Sequence, residues 1–199
     1  MAERRKSALF GGTFDPVHAG HLWMAAAARD ALGLDEVRFL PCRLSPHKTG
    51  APPTPAEDRL EMLRLALAEF PWAVADDLEL HGEEISYSYQ TAEHFFRSAP
   101  ATAWFWLMGG DQWRALPRWK HPERLAACVE FIVVERDGEP IEVREGLRMH
   151  RVPGDHPASA TRIREAVRAG ETEHLWLAPA VAAHIAERGL YQDRHGCGS

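Results

Sequence analysis

The sequence predicts an α/β fold, a mainly parallel sheet flanked by helices, and three observations carry that prediction. Short apolar runs recur at 7–10, 36–41, 72–75, 103–108 and 130–135. Helix-length patterns separate them, which is the order of crossover units and not of hairpins. The first run leads through two glycines into a helical pattern opened by two histidines. At 199 residues the chain fits one such domain, here drawn as 1–191, with a small helical appendage.

Ser7-Ala8-Leu9-Phe10 is the first strand, and Gly11-Gly12-Thr13-Phe14-Asp15-Pro16-Val17-His18-Ala19-Gly20-His21 follows it. The glycines predict a turn with φ > 0 that lets the backbone approach a ligand. A helix N-terminus beyond them leaves N–H groups unpaired and suits an anion. His18 and His21, three apart, project from one face of the first turn, and Gly20 keeps the space between them open. The arrangement reads as a polyphosphate site. It is neither the Walker loop nor the dinucleotide fingerprint. Zinc on His18 and His21 lacks a third ligand.

The helix over 20–32 is alanine-rich and stops at Gly33, a left-handed terminator. Residues 43–55, with Pro46, Pro52, Pro53 and Pro55, form a loop. Thr54-Pro55-Ala56-Glu57 then supplies an N-cap, a first-turn proline and a capping-box glutamate. Leu60, Leu63, Leu67 and Phe70 make the apolar stripe of that helix. A further helix spans about 88–98. In the strand 103–108, Trp104 and Trp106 alternate as packing residues, while Trp113 stays undecided. Asp111, after Gly109-Gly110, sits where open α/β sheets gather ligands; it either meets a ligand or caps a helix from Gln112.

Ser159 to Gly170 reads as a helix capped by Ser159, anchored by Ile163 and Val167 and ended by Gly170. Arg162 and Arg164 occupy its first turn, where a cation opposes the helix dipole by about 0.3–1 kcal/mol. A bound phosphate would reverse that sign. The last helix covers about 179–188, and from Gln192 the chain reads as a frayed tail.

A net charge of −6 argues against general nucleic-acid or anionic-membrane binding but not against ATP, which answers to the local field. Cys42, Cys128 and Cys197 are odd in number and form no Cys-x-x-Cys, which fits reduced thiols in the cytoplasm. No stretch is long enough for a membrane span, and the apolar run after Met1–Lys6 is too short for a signal peptide.

The block Gly11 to Leu22, containing His18-Ala19-Gly20-His21, resembles the (H/T)-x-G-H signature of the nucleotidyltransferase superfamily. Four further segments extend the resemblance. They are Leu40-Pro41 through Pro46-His47-Lys48; Ser86-Tyr87-Ser88-Tyr89-Gln90-Thr91; Met108-Gly109-Gly110-Asp111 with Leu116 and Trp119; and Ser159-Ala160-Thr161-Arg162-Ile163-Arg164. The ending, Ala178-Pro179 through Ile185 and Gly189-Leu190-Tyr191, shares the cadence. Over roughly residues 7–191 the chain resembles the bacterial nicotinate-nucleotide adenylyltransferases. It departs from them at Ala158 for isoleucine, Ala160 for serine and Ser88 for threonine, and Ala160 lacks one hydroxyl that could contact phosphate.

The resemblance implies a Rossmann-like nucleotidyltransferase fold with a small C-terminal helical part. It also implies a reaction that joins ATP and nicotinate mononucleotide into deamido-NAD and pyrophosphate. His18 and His21 would donate to ATP phosphates, Lys48 and Arg164 would neutralise them, and Arg162 is a weaker candidate. Gly11, Gly12, Thr13 and Phe14 would cradle the triphosphate, with Gly109, Asp111, Ser159, Thr161 and Ile163 completing the ATP site. Ser86, Tyr87 and Ser88 would bind the nicotinate carboxylate and Trp119 would stack on the ring. Mg²⁺ would arrive with ATP and need no protein metal cage. The rivals are a nicotinamide-mononucleotide or phosphopantetheine adenylyltransferase, a non-catalytic nucleotide-binding protein, and a metal-dependent hydrolase.

Overall fold

The computed structural model describes residues 4–43, 53–81, 87–135, 141–171 and 176–192. Along the chain come β1 (Lys6–Gly12), α1 (Ala19–Leu32), β2 (Glu36–Pro41), α2 (Ala56–Leu67), β3 (Ala73–Ala75) and α3 (Ser88–Ser98). After them come β4 (Ala103–Gly109), α4 (Gly110–Ala115), α5 (Pro122–Cys128), β5 (Glu130–Glu135), β6 (Met149–Pro153), α6 (Ala160–Arg168) and α7 (Pro179–Glu187). The strands form one parallel sheet in the order β3-β2-β1-β4-β5-β6. Strand order reverses between β1 and β4, so a crevice opens there at the carboxyl ends of the strands.

Side chains alternate across a strand, and both faces of this sheet are apolar because helices cover both. Ala8, Phe10, Phe39, Phe105, Leu107 and Ile132 face one way, against α1, α2, α6 and α7. Leu9, Trp104, Trp106, Met108, Phe131 and Val133 face the other way, against α3, α4 and α5. Trp113 joins this second layer fully buried, and its indole N–H donates to the Glu142 carbonyl at 2.8 Å. Burying each of these large side chains contributes roughly 1.5–3 kcal/mol.

The five predicted strands are present, and a sixth, β6, has no counterpart in the apolar pattern. Only Val152 of its five residues is buried. An edge strand of that kind carries no apolar run to read, and its Arg151 and His150 keep the edge polar. The second helix also begins later than its capping signal implies. Pro55 holds the N-cap position, and Thr54 makes no side-chain cap there. Thr54 instead donates its N–H to Asp15 at 3.2 Å and offers its carbonyl to Arg59. The helix ends at Leu67, so Phe70 lies beyond it and packs on Trp72. Leu60, Leu63 and Leu67 are core as expected. Ser159 holds the N-cap position of α6 without a side-chain cap bond, and Gly170, at φ 77°, ends that segment.

Candidate active site

A cavity of about 800 Å³ opens at the carboxyl ends of β1, β4 and β5, within the usual size of a ligand pocket. Its floor is the turn from β1 into α1. Gly11 and Gly12 remain in the strand, and neither takes a positive φ; the left-handed residue is Phe14, at φ 49°. The glycines answer to space instead. A Cβ on Gly11 would lie 3.1 Å from the Trp106 ring, and one on Gly12 would lie 2.9 Å from the Phe14 ring.

The turn is held from behind by buried groups. Arg59, 1% exposed on α2, donates Nη1 to the carbonyls of Thr13 at 2.9 Å and Cys42 at 2.8 Å, Nε to Thr54 at 2.9 Å, and Nη2 to Arg43 at 3.3 Å. The Asp15 carboxylate accepts from the Tyr191 hydroxyl at 2.6 Å and from the Thr54 N–H. Burial and that carboxylate push the Tyr191 phenol well above its ordinary range. Arg164 Nη1 donates to the Asp15 carbonyl at 2.7 Å, tying α6 to the same turn.

His18 is the N-cap residue of α1 and His21 lies one turn in, with their rings stacked at 3.8 Å. The His18 N–H donates to His21 Nδ1 at 3.3 Å, so the neutral His21 ring carries its proton on Nε2. Burial, with the nearby His156 adding to it, lowers the His18 pKa from 6.5 to about 4. His18 is therefore neutral at pH 7. Its Nδ1 is buried with no hydrogen-bond partner among the described residues. A Cβ on Gly20 would stand 3.0 Å from the His18 ring, so Gly20 leaves that ring its room.

Most of the sequence-predicted residues meet in this cavity. Gly11, Gly12, Thr13, Phe14, His18 and His21 line one wall. Gly109, Asp111, Ser159, Tyr87, Ser88 and Trp119 line the cavity as well. Asp111 is not the helix cap: Gly109 holds that position, and the exposed Asp111 carboxylate lies across it. Trp119 is half-buried, edge to face with Trp106 at 6.4 Å. Thr161, Ile163 and Arg164 do not line the cavity. Thr161 and Arg162 are exposed, and Ile163 is buried in the core. Lys48, Ser86, most of the 43–55 loop and the tail after Gln192 lie outside the described residues.

Sequence reasoning missed a second group of cavity residues: Trp23, Met24, Glu79, Ile141 and the segment Gly154–His156. Gly154, at φ 133°, lets the Trp23 ring lie against the backbone; a Cβ there would stand 2.7 Å from it. Trp23 is legible as a helix residue, but its facing loop follows the unpredicted β6. Glu79 is buried and accepts the Thr91 hydroxyl at 2.7 Å. Among the described residues no three His, Cys, Asp or Glu side chains group closely enough to hold a metal ion. No described helix is long and apolar enough to cross a membrane.

A parallel sheet with a histidine pair at the mouth of its central crevice is the architecture of a nucleotidyltransferase. The chain belongs to the cytidylyltransferase-like family, whose model matches residues 9–166. Within it the chain is a member of the nicotinate-nucleotide adenylyltransferases. A Geobacillus kaustophilus protein named "Probable nicotinate-nucleotide adenylyltransferase" is 39% identical over 191 residues, 96% of this chain and 88% of the relative. A Thermus thermophilus protein of the same name is 36% identical over 92% of this chain and 98% of the relative. The fold also matches a solved Plasmodium falciparum nicotinic acid mononucleotide adenylyltransferase complexed with NaAD. Its TM-score is 0.75 at 16% identity, over 94% of this chain and 97% of that one.

Proposed function

We propose that this cavity binds ATP and nicotinate mononucleotide together and joins them into deamido-NAD. An oxygen of the mononucleotide 5′-phosphate bonds to the α-phosphorus of ATP. The bond from that phosphorus to the bridging oxygen breaks, and its electron pair leaves with pyrophosphate. Such transfers need positioning and charge stabilisation more than covalent help. The observation that carries the reading is one cavity lined both by the stacked histidines of a helix N-terminus and by the aromatic side chains of Trp119 and Tyr87.

In this reading His21 Nε2–H and the His18 ring donate to the phosphates where charge develops. The N–H groups of the β1–α1 turn and of the α6 N-terminus complete the cradle. Arg164 adds positive charge behind the turn while steadying Asp15, and Lys48 is the second cation that the family resemblance assigns. Asp111 accepts the ribose hydroxyls. Trp119 stacks on the pyridine ring, and Tyr87 and Ser88, with Ser86 assigned by the family resemblance, bind its carboxylate. The divalent cation enters with ATP as part of the substrate, held by phosphate oxygens and water. The odd, scattered cysteines support a cytoplasmic enzyme, with Cys42 and Cys128 both free thiols.

The test is pyrophosphate release from ATP and Mg²⁺ with nicotinate mononucleotide, nicotinamide mononucleotide or phosphopantetheine offered separately. Turnover strongest with nicotinate mononucleotide is expected. Turnover with phosphopantetheine alone would move the chain to a different acceptor, and silence with all three would leave a nucleotide-binding protein.

A further inference from the structure

The cavity lining holds a cation, Lys120, with no role in the function proposed above. Lys120 lines the cavity directly after Trp119, and its ammonium stands 4.2 Å from the centre of the Tyr87 ring. That aromatic face is its partner, and no carboxylate among the described residues is paired with it. Surface lysines ordinarily extend into water, where their charge is best hydrated. Lys120 is itself exposed, yet its ammonium lies over a ring that lines the cavity. Tyr87 is also the N-cap residue of α3, so the unpaired N–H groups of an eleven-residue helix open beside it. Glu79, the buried acid on the same cavity, is occupied by the Thr91 hydroxyl.

We infer that Lys120 is a specificity-determining residue, which selects an acceptor whose ring carries a carboxylate over the neutral amide. The inference rests on the function proposed above and deepens it. A carboxylate beside Trp119 gains Coulomb attraction from the ammonium and from the α3 N-terminus. A carboxamide at the same place is uncharged and gains little from either. The Tyr87 ring holds the ammonium over its face, so the cation is in position before the acceptor arrives.

The experiment measures kcat/KM for nicotinate mononucleotide and nicotinamide mononucleotide at saturating ATP, on the full chain and on Lys120→Gln, Lys120→Arg and Arg118→Gln. Lys120→Gln is expected to lower the ratio of the two values about tenfold, close to one decade of binding discrimination. Lys120→Arg is expected to keep the ratio within about threefold, because it keeps the charge. An unchanged ratio in Lys120→Gln would overturn the inference. An equal loss with both acceptors would also overturn it, by assigning Lys120 to their shared 5′-phosphate. A comparable ratio change in Arg118→Gln, another cation lining the cavity, would assign the preference to the general field of the rim. Absence of turnover by the unaltered chain with either mononucleotide would strike the proposed function itself, and with it this inference.

Discussion

Replacing Arg59 by methionine removes the clamp that holds the β1–α1 turn while keeping most of the apolar stem. The guanidinium is 1% exposed and makes three contacts of 2.8–2.9 Å to the carbonyls of Thr54, Thr13 and Cys42. A buried acceptor left unmet costs about 1–3 kcal/mol. Methionine offsets part of this loss, because a buried guanidinium carries its own desolvation penalty. Three stranded carbonyls outweigh that relief, and the net destabilisation is about 2–4 kcal/mol. For a chain of this length that lowers Tm by roughly 5–15 °C. Thr13 and Cys42 line the cavity, so kcat/KM for ATP should fall as well. Thermal melting at neutral pH and initial rates of pyrophosphate release read the two effects. Arg59→Lys keeps the charge but not the fork, and should recover less than half of the lost stability. If Arg59→Met melts within about 2 °C of the unaltered chain and turns over normally, the clamp is not what holds the turn.

Three further outcomes follow from the same geometry. His18 takes up its proton near pH 4 when folded and near 6.5 when unfolded, so the unfolded chain binds more protons between those values. Its contribution is fully present above pH 6.5 and is lost, by about 3 kcal/mol, as pH falls to 4. Urea unfolding of the unaltered chain should therefore show that much more loss over this range than His18→Asn, and parallel curves would contradict the burial argument. Trp119→Ala should raise KM for the mononucleotide about tenfold while changing KM for ATP little, since stacking on an aromatic ring contributes roughly 1–3 kcal/mol; an equal rise for both substrates would remove Trp119 from the acceptor end. Gly154→Ala puts a Cβ 2.7 Å from the Trp23 ring at a φ of 133°, so it should cost about 1–3 kcal/mol by melting and raise KM for ATP.

Four of the predicted strands, β1, β2, β4 and β5, are buried on both faces and so write themselves as apolar runs, and the half-buried edge strand β3 is apolar as well. β6 carries one buried residue in five, so neither it nor the loop that brings Gly154 and His156 to the cavity can be read that way. The histidine turn is legible as a motif, but the reason for its glycines is not. Gly11 and Gly12 suggest left-handed backbone in sequence; the packing of Trp106 and Phe14 against them is a fact of the tertiary structure. Arg59 shows the same limit from the other side. In sequence it is one arginine on an amphipathic helix, and nothing local tells that four carbonyls from three segments converge on it. For Asp111 and Ser159 the sequence is compatible with capping as well as with a ligand role. Neither side chain caps its helix in the structure, which leaves both carboxylate and hydroxyl at the cavity.

The histidine pair explains how charge is divided in the proposed site. Two protonated imidazoles at 3.8 Å would repel by about 4 kcal/mol at an effective dielectric of about 20, and His156 adds to the opposition. The pair therefore carries at most one charge near neutral pH, and His18 carries none. Only a group that is uncharged in the empty cavity can stay buried there without a counter-ion. Fixed cations sit elsewhere: Arg164 on the Asp15 carbonyl behind the turn, and Lys120 over the Tyr87 ring. In the function proposed above, directional donors then meet the reacting phosphate, and the permanent charge of Lys120 meets the acceptor. A buried arginine in place of either histidine would reverse that order, because its desolvation cost would have to be met by the turn's own carbonyls, which Arg59 and Arg164 already occupy.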